Sequence, residues 1–157
     1  MNISSGVDGC EAEFVALFRA AFAASEGPDE GERIGALVTD LLATTPAQNI
    51  WTFRAHNEGK MVGAVAFTRL HYAQDPRSVV LLSPMAVAPD RQRQGIGQAL
   101  INHALSALTN EPIYVAITYG DPKYYGKLGF MPISEDFARA PLPLSFPHGW
   151  LGRPLAL

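Results

Sequence analysis

The sequence is short of the features that mark secreted, membrane-spanning and nucleic-acid-binding proteins. Its single cysteine, Cys10, excludes an internal disulfide and favours a reducing cytoplasm. No apolar run approaches the roughly 20 residues that span a bilayer, and the N-terminus lacks the basic and apolar regions of a signal peptide. The formal net charge is −3 with only 17% charged residues, so bulk electrostatics do not favour a nucleic-acid partner.

Metal ligands are also scarce. Four histidines are scattered along the chain, and together with one cysteine they show no metal-ligand spacing, so no metal is predicted. Hydrophobic residues make up 48% of the 157 residues, which is enough for a substantial core. The sequence therefore predicts one globular domain over residues 1–157.

The hydrophobic periodicity of the first half predicts two helices followed by strands. Amphipathic stripes at residues 14–22 and 34–42 predict the helices, the second ending before Pro46. The segment 25–31 between them is rich in glycine and charge and predicts a flexible loop. Alternation at 51–55 and an apolar run at 61–70 predict two strands joined by a turn.

The hydrophobic pattern of the second half predicts a strand, a helix and a further strand. An apolar run at 78–87 predicts a central strand covered on both faces, and a long amphipathic helix follows from Ile96. A short strand is predicted at 113–118. The last 20 residues contain four prolines and predict edge strands and loops.

The most informative stretch is the segment 92–97, which we call the glycine loop, between the apolar strand and the long helix. A chain that turns through Gly95 and Gly97 into a helix presents free backbone N–H groups and the positive end of a helix dipole. Such a site suits a phosphate or diphosphate. A Walker P-loop is disfavoured because no Lys-Ser/Thr follows, and a Rossmann site lacks its third glycine. On spacing alone, a plain turn remains an alternative.

The order Gln92-x-x-Gly95-x-Gly97, after a strand ending Met85-Ala86-Val87, resembles the acetyl-CoA-binding motif of the GNAT N-acetyltransferase superfamily. A second element lies downstream at 120–130, where GDPKYYGKLGF resembles the superfamily's Tyr-x-x-x-Gly-Phe element. Its Gly-Asp-Pro-x-Tyr-Tyr form is similar to a bacterial subgroup of predicted small-molecule N-acetyltransferases. The resemblance covers roughly residues 10–132.

This resemblance implies an α/β GNAT fold, in which helices flank a mixed, mostly antiparallel sheet that splays between its fourth and fifth strands. It also implies acetyl-CoA as co-substrate. Backbone groups of the splayed strand would bind pantetheine, and the glycine loop would bind the diphosphate; Pro84, which cannot donate a ladder hydrogen bond, would help the strand diverge. The implied cofactor-binding residues are Met85, Ala86, Val87, Gln92, Arg93, Gln94, Gly95, Ile96, Gly97 and Gln98.

The catalytic residue that the resemblance implies is Tyr125, as the acid that protonates the departing thiolate. It stands four residues before Gly129, where the superfamily places such a tyrosine. Tyr124 is the competing candidate, and packing against pantetheine or the core is the structural alternative for Tyr125. Asp121 is predicted to cap the helix that holds both tyrosines, with Pro122 at its first position.

The general base is not predicted by any pattern. Glu26, Glu30, Glu32 and His71 are candidates, although solvated surface charge explains each glutamate more simply. Cys10 has no histidine partner to activate it as a nucleophile. The acceptor pocket is expected from the first two helices, their connecting loop and the C-terminal segment with Phe146 and Trp150. An exposed Trp150 would also suit a homodimer.

The sequence therefore favours a cytoplasmic enzyme that transfers the acetyl group of acetyl-CoA directly to a primary amine, with a small molecule as the acceptor. No nucleic acid or membrane partner is expected. Two alternatives remain open at this point. One is a catalytically silent acyl-CoA sensor or regulator, and the other is a protein or peptide N-acetyltransferase.

Overall fold

The structure is a computed structural model that describes residues 1–73, 75–141 and 143–155. Backbone contacts group these residues into two compact units. Unit 1 comprises residues 1–67 and 84–103, and unit 2 comprises residues 68–83 and 104–157. The glycine loop belongs to unit 1, whereas both tyrosines of the second motif belong to unit 2.

The described residues form four α-helices and seven strands. The helices are α1 (Glu11–Glu26), α2 (Pro28–Thr44), α3 (Ile96–Leu108) and α4 (Pro122–Gly126). The strands are β1 (Asn2–Ser5), β2 (Ile50–Asn57), β3 (Lys60–Tyr72), β4 (Asp75–Val87), β5 (Ile113–Tyr119), β6 (Met131–Pro132) and β7 (Trp150–Pro154). They form one seven-stranded sheet in the order β1-β2-β3-β4-β5-β7-β6.

The sheet is mixed, as the family resemblance implies. β4 and β5 are parallel, while β1 with β2, β5 with β7 and β6 with β7 are antiparallel. The parallel register runs from Ser78↔Ile113 to Leu82↔Thr118. β4 then continues for five more residues to Val87, so its C-terminal part extends past the paired segment. Pro84 lies two residues beyond the last pair.

Unit 1 is built on the first two helices and the strands that follow them. Phe14 and Phe18 of α1 are fully buried and meet edge to face, with ring centroids 5.2 Å apart. β2 and β3 are joined by a two-residue turn at Glu58 and Gly59, both with positive φ, which is the conformation of tight hairpins. This turn is the one that the sequence predicts.

The predicted flexible loop at 25–31 is wrong. α1 runs to Glu26 and α2 begins at Pro28, so Gly27 alone separates them. Pro28 occupies the first turn of α2, where its missing N–H costs nothing, and Asp29 and Glu30 face the positive end of the helix dipole. Gly31 is a buried residue of α2. A Cβ there would lie 2.6 Å from the carbonyl oxygen of Arg19, so this position has no room for a side chain.

Unit 2 has its own small core at the C-terminal strands. Ile117, Ala138, Ala140 and Trp150 form it, and the indole N–H of Trp150 donates to the carbonyl of Ala138 at 2.9 Å. Trp150 is only 2% exposed, so the expectation of an exposed tryptophan at a dimer surface is wrong. Its indole is large enough to be the centre of this core, and its N–H is satisfied there.

The prediction of edge strands in the last 20 residues is wrong for β7. β7 pairs with β5 on one side and with β6 on the other, so it is not an edge strand. The sequence also gave no sign of β1, which pairs with β2 from Asn2↔His56 to Ser5↔Phe53. Among the described residues, no helix combines the length and apolarity that crossing a membrane requires.

Candidate active site

The glycine loop takes the conformation that a helix N-terminus needs to present its amides. Gly95 has φ +80° and its carbonyl accepts the first hydrogen bond of α3, from the N–H of Ala99 at 3.0 Å. The N–H groups that follow belong to the first turn, where a helix offers no internal acceptor. A Cβ at Gly95 would point into open space. The loop therefore has an open face beside the positive end of a helix.

Arg93 is the residue of this loop with a strained backbone. Its φ of +64° lies in the left-handed region, which non-glycine residues with long side chains rarely adopt. Gln92 steadies the loop by donating from its side-chain amide to the carbonyl of Val87 at 3.3 Å. Gln92, Arg93, Gln94 and Gly95 are exposed, whereas Ile96 and Gly97 are buried at the start of the helix. Strain at an exposed loop of this kind often marks a binding function.

The end of β4 leads directly into this loop. Met85 and Val87 are half-buried and Ala86 between them is buried, so the strand alternates as a half-covered strand should. The N–H of Ala88 donates to the carbonyl of Val62 at 2.9 Å and fixes the chain as it leaves the strand. These neighbours hold the cofactor-binding segment that the resemblance implies.

Tyr125 lies on the short helix α4 of unit 2. Asp121 caps this helix by accepting from the N–H of Lys123 at 2.9 Å, and Pro122 follows in its first turn, which confirms the predicted cap. The N–H of Tyr125 donates to the carbonyl of Asp121. The N–H of Phe130 returns to the carbonyl of Tyr125 at 3.1 Å.

The Tyr-x-x-x-Gly-Phe spacing has a local explanation. Gly129 has φ +87°, which reverses the chain after α4 and brings Phe130 back against Tyr125, with ring centroids 5.6 Å apart at 74°. Arg153 of β7 donates to the carbonyl of Leu128 at 2.8 Å and fastens the reversal to the sheet. Tyr124 also contacts Tyr125 edge to face, with 5.1 Å between centroids.

The phenol of Tyr125 is half-buried, and burial raises its pKa above the ordinary value. A hydrogen bond with the side chain of Thr118 acts in the opposite direction, and the neighbouring Tyr124 raises the pKa further. The pKa of Tyr124 is also raised by burial. At neutral pH Tyr125 is therefore protonated, as an acid must be before it acts.

Two residues that affect Tyr125, one through packing and one through its pKa, were missed by the sequence reasoning. A Cβ on Gly120 would lie 2.5 Å from Cε2 of Tyr125, so the ring occupies the place of the absent side chain. Thr118 is 1% exposed and is one of two buried polar side chains in the described core. A threonine inside the otherwise apolar strand at 113–118 was the available signal.

A small cleft adjoins the start of α4. It measures about 380 Å³ and is lined by Tyr119, Gly120, Asp121, Pro122 and Phe146. Tyr119 and Phe146 are 40% and 49% exposed, so two aromatic faces are available to a ligand. The hydroxyl of Tyr119 lies 3.1 Å from Oγ of Ser145 and accepts from the N–H of Phe146, which fixes the segment that carries the second ring.

The candidate bases are either exposed or already engaged in ion pairs. Glu30 accepts two hydrogen bonds from Arg33 at 2.7 Å, which lowers the pKa of its carboxyl, and Glu32 forms an ion pair with Arg19 at 3.3 Å. Glu26 and His71 are exposed. Within the described ranges, no group of three or more His, Cys, Asp and Glu side chains is placed to hold a metal ion.

Comparison with known proteins bears on the glycine loop and the tyrosine helix together. Residues 46–132, more than half of the chain, match the acetyltransferase (GNAT) domain model. A 115-residue segment is 32% identical to the uncharacterized N-acetyltransferase YjhQ of Escherichia coli K12, covering 71% of this chain and 64% of that protein. The matched segment thus spans less than two thirds of this relative.

Solved structures agree with this match. A GNAT family acetyltransferase from Brucella melitensis, in complex with acetyl-CoA, has a TM-score of 0.71 and 28% identity over 82% of this chain and 81% of that one. YhbS from Escherichia coli, in complex with CoA, has a TM-score of 0.79 over 99% of this chain and 81% of that one; at 22% identity it bears on the fold alone. The predicted fold class is confirmed, and the chain belongs to the GNAT acetyltransferase family.

Proposed function

We propose that this protein transfers the acetyl group of acetyl-CoA directly to the primary amine of a small molecule. The observation that carries the proposal is the glycine loop, whose Gly95 adopts φ +80° and opens onto solvent at the N-terminus of α3 in a chain of this family. A diphosphate placed there would accept from several amides and meet the positive end of the helix.

The cofactor roles follow from the same geometry. The N–H groups of residues 92–98 would bind the diphosphate, and the long side chain of Arg93 would add a positive charge at its edge. Met85 and Val87, in the part of β4 that extends past the pairing with β5, would offer backbone groups to the amides of pantetheine. Ala86 would pack between them.

Few parts are needed for the chemistry. A neutral amine attacks the thioester carbonyl, the tetrahedral intermediate collapses, and the thiolate leaves as Tyr125 gives it a proton. A thiol with a pKa of about 8.5 is a tolerable leaving group, so much of the acceleration comes from holding the two reactants together. Tyr125 is the proposed acid because its phenol is protonated and its ring packs against Tyr124 and Phe130.

A small-molecule acceptor suits the cleft beside α4. Its volume of about 380 Å³ lies in the range of small-ligand sites, and the faces of Tyr119 and Phe146 can pack against the body of an amine. The buried Trp150 takes no part in this proposal. A cytoplasmic location remains a prediction, supported by the single cysteine.

The decisive experiment measures binding and turnover separately. Calorimetry with acetyl-CoA should show saturable binding, and a thiol-release assay should show free CoA appearing when a panel of small primary amines is added. Mass spectrometry of the products should find one added acetyl group. Binding without release across the panel would instead favour a sensor, and release only with peptide substrates would favour a protein acetyltransferase.

A further inference from the structure

Gly63 is a buried residue of β3 that lies against the start of α3. A Cβ on Gly63 would lie 3.1 Å from Cγ2 of Ile96 and 3.2 Å from Cδ2 of Leu100. Ile96 and Leu100 are one turn apart on the same face of α3, and both are buried. The two side chains therefore fill the space that a side chain at position 63 would take, and the helix approaches the strand closely.

The neighbouring residue of β3 holds the chain at the other end of the same segment. The carbonyl of Val62 accepts from the N–H of Ala88, the first residue after β4, at 2.9 Å. Ile96 is the first residue of α3 and directly follows Gly95. Two consecutive residues of β3 thus fix the chain just before and just after the segment 89–95, and all of these residues lie within unit 1.

We propose that Gly63 is a positioning residue for the cofactor site. Because it leaves room for Ile96, it sets how closely the first turn of α3 lies against β3, and so where the amides of the glycine loop stand. The proposal rests on the proposed function, because it assumes that these amides bind the diphosphate of acetyl-CoA. Gly63 touches no part of acetyl-CoA in this scheme.

The stiffness of Ile96 explains why one methyl group at position 63 would move the helix. Carbon atoms in contact are about 3.5–4.0 Å apart, so the Cβ of an alanine would be roughly half an ångström too close to Cγ2 of Ile96. Cγ2 is bonded directly to Cβ, and a β-branched side chain in a helix has one strongly preferred χ1. Leu100 differs, because Cδ2 is the end of a side chain that can rotate. The start of α3 therefore has to move away from β3.

A movement of this size matters for a diphosphate. Hydrogen bonds from N–H groups to oxygen form within a narrow range of about 2.7–3.2 Å between the heavy atoms. The amides of the glycine loop and of the first helical turn belong to one continuous backbone, so a shift of the helix displaces them together. Several bonds to the diphosphate would weaken at once, whereas the chemical step would not change, because Gly63 contacts no group that takes part in it.

The test compares Gly63→Ala with Gly152→Ala. Gly152 is a buried glycine of β7, and a Cβ there would lie 3.3 Å from Cγ2 of Ile133, an isoleucine outside α3. Both variants add one methyl group beside an isoleucine, so both should lose similar thermal stability. Only Gly63→Ala should raise the Kd for acetyl-CoA, by about tenfold in calorimetry, and its kcat at saturating acetyl-CoA should equal that of the wild type.

A second substitution examines the path through Ile96. Ile96→Leu moves the branch from Cβ to Cγ, which removes Cγ2 and keeps the volume of the side chain. In the Ile96→Leu background, Gly63→Ala should raise the Kd by less than about threefold, because the atom nearest to the new Cβ is gone. This double-mutant cycle separates the contact between positions 63 and 96 from a general loosening of unit 1.

Four results would overturn the proposal. They are an unchanged Kd in Gly63→Ala, an equal rise of the Kd in Gly152→Ala, a tenfold rise in both Ile96 backgrounds, and a Gly63→Ala variant that circular dichroism shows to be unfolded. Calorimetry needs no amine, so these outcomes stand even when no acceptor is found. A wild-type protein that binds no acetyl-CoA would count against the proposed function. Binding that Gly95→Val weakens and Gly63→Ala leaves unchanged would count against Gly63 alone.

Discussion

The glycine loop is shaped by its own backbone, whereas Tyr125 is placed by the side chains around it. Gly95 adopts a conformation that glycine tolerates at little cost, and nothing lies within 4 Å of the Cβ that it lacks. Around Tyr125 the opposite holds, since Gly120 has a normal φ and its missing Cβ is replaced by the phenol ring. Gly95 is thus needed for its backbone conformation, whereas Gly120 is needed because it leaves room for a neighbouring side chain.

The first way to test this contrast is Gly95→Val. A β-branched residue at φ +80° is strained, and its side chain would enter the open face of the loop, so we expect the Kd for acetyl-CoA to rise about 100-fold. Gly59→Val is the matched control, because Gly59 has φ +77° and is equally open but lies in the β2–β3 turn. Both variants should lose similar thermal stability. Equal binding by the two would refute the cofactor role of the loop.

Tyr125→Phe tests the other side of the comparison. Removal of the phenol proton should lower kcat about 100-fold while the Kd for acetyl-CoA stays nearly constant. Tyr124→Phe is the control, since it removes a hydroxyl from the adjacent ring of the same helix. Thiol release measures kcat, and calorimetry measures binding. A loss confined to Tyr124→Phe would transfer the acid role to Tyr124.

The pH dependence of kcat should carry the signature of a raised tyrosine pKa. Tyr125 acts when protonated, so kcat falls tenfold per pH unit above its pKa, which burial places above the ordinary value of about 10. Tyr125→Phe should lack this alkaline decline. The pKa of Tyr125 is higher in the folded protein than in the unfolded chain, so the unfolded chain loses the phenol proton at lower pH. The free energy of unfolding therefore falls as the pH rises above the ordinary value. Circular dichroism at each pH separates unfolding from catalysis, and a decline centred near neutrality would contradict the assignment.

Gly120→Ala tests how strongly kcat depends on the position of the Tyr125 ring. The new Cβ would meet Cε2 of Tyr125 at 2.5 Å, and the ring can yield, so the fold should persist while the phenol moves. We expect kcat to fall about tenfold because proton transfer depends steeply on placement. Gly126→Ala is the control from the same helix, where a Cβ meets nothing within 4 Å. Similar kcat values for both variants would show that the ring position is not critical.

The smallest expected effect concerns the acceptor. Phe146→Ala removes one aromatic wall of the cleft beside α4 and should raise the KM for the amine about fivefold, with kcat nearly unchanged. Phe137→Ala is the control, because Phe137 is 65% exposed and lines a different cleft. An equal response of the two variants would place the acceptor elsewhere.

Local rules explain which predictions from the sequence are confirmed. The two N-terminal helices, the Glu58–Gly59 turn and the Asp121 cap depend on neighbours within a few residues, so periodicity and capping preferences are sufficient to predict them. The prediction of a loop at 25–31 was wrong because composition alone does not distinguish a proline in the first turn of a helix from a proline that ends a helix. The prediction of an exposed Trp150 was wrong because its burial depends on the pairing of β7 with β5, which are far apart in sequence.

The amino-acid order by itself determined the strand–glycine–helix arrangement of the loop and the spacing that returns Phe130 to Tyr125, because both are set by backbone conformations that only a few residues allow. Tertiary structure alone decided that Gly120 makes room for the phenol, that Thr118 donates to Leu82 on the neighbouring strand, and that Trp150 is core. These contacts join residues brought together by strand pairing and close packing, which no local preference specifies.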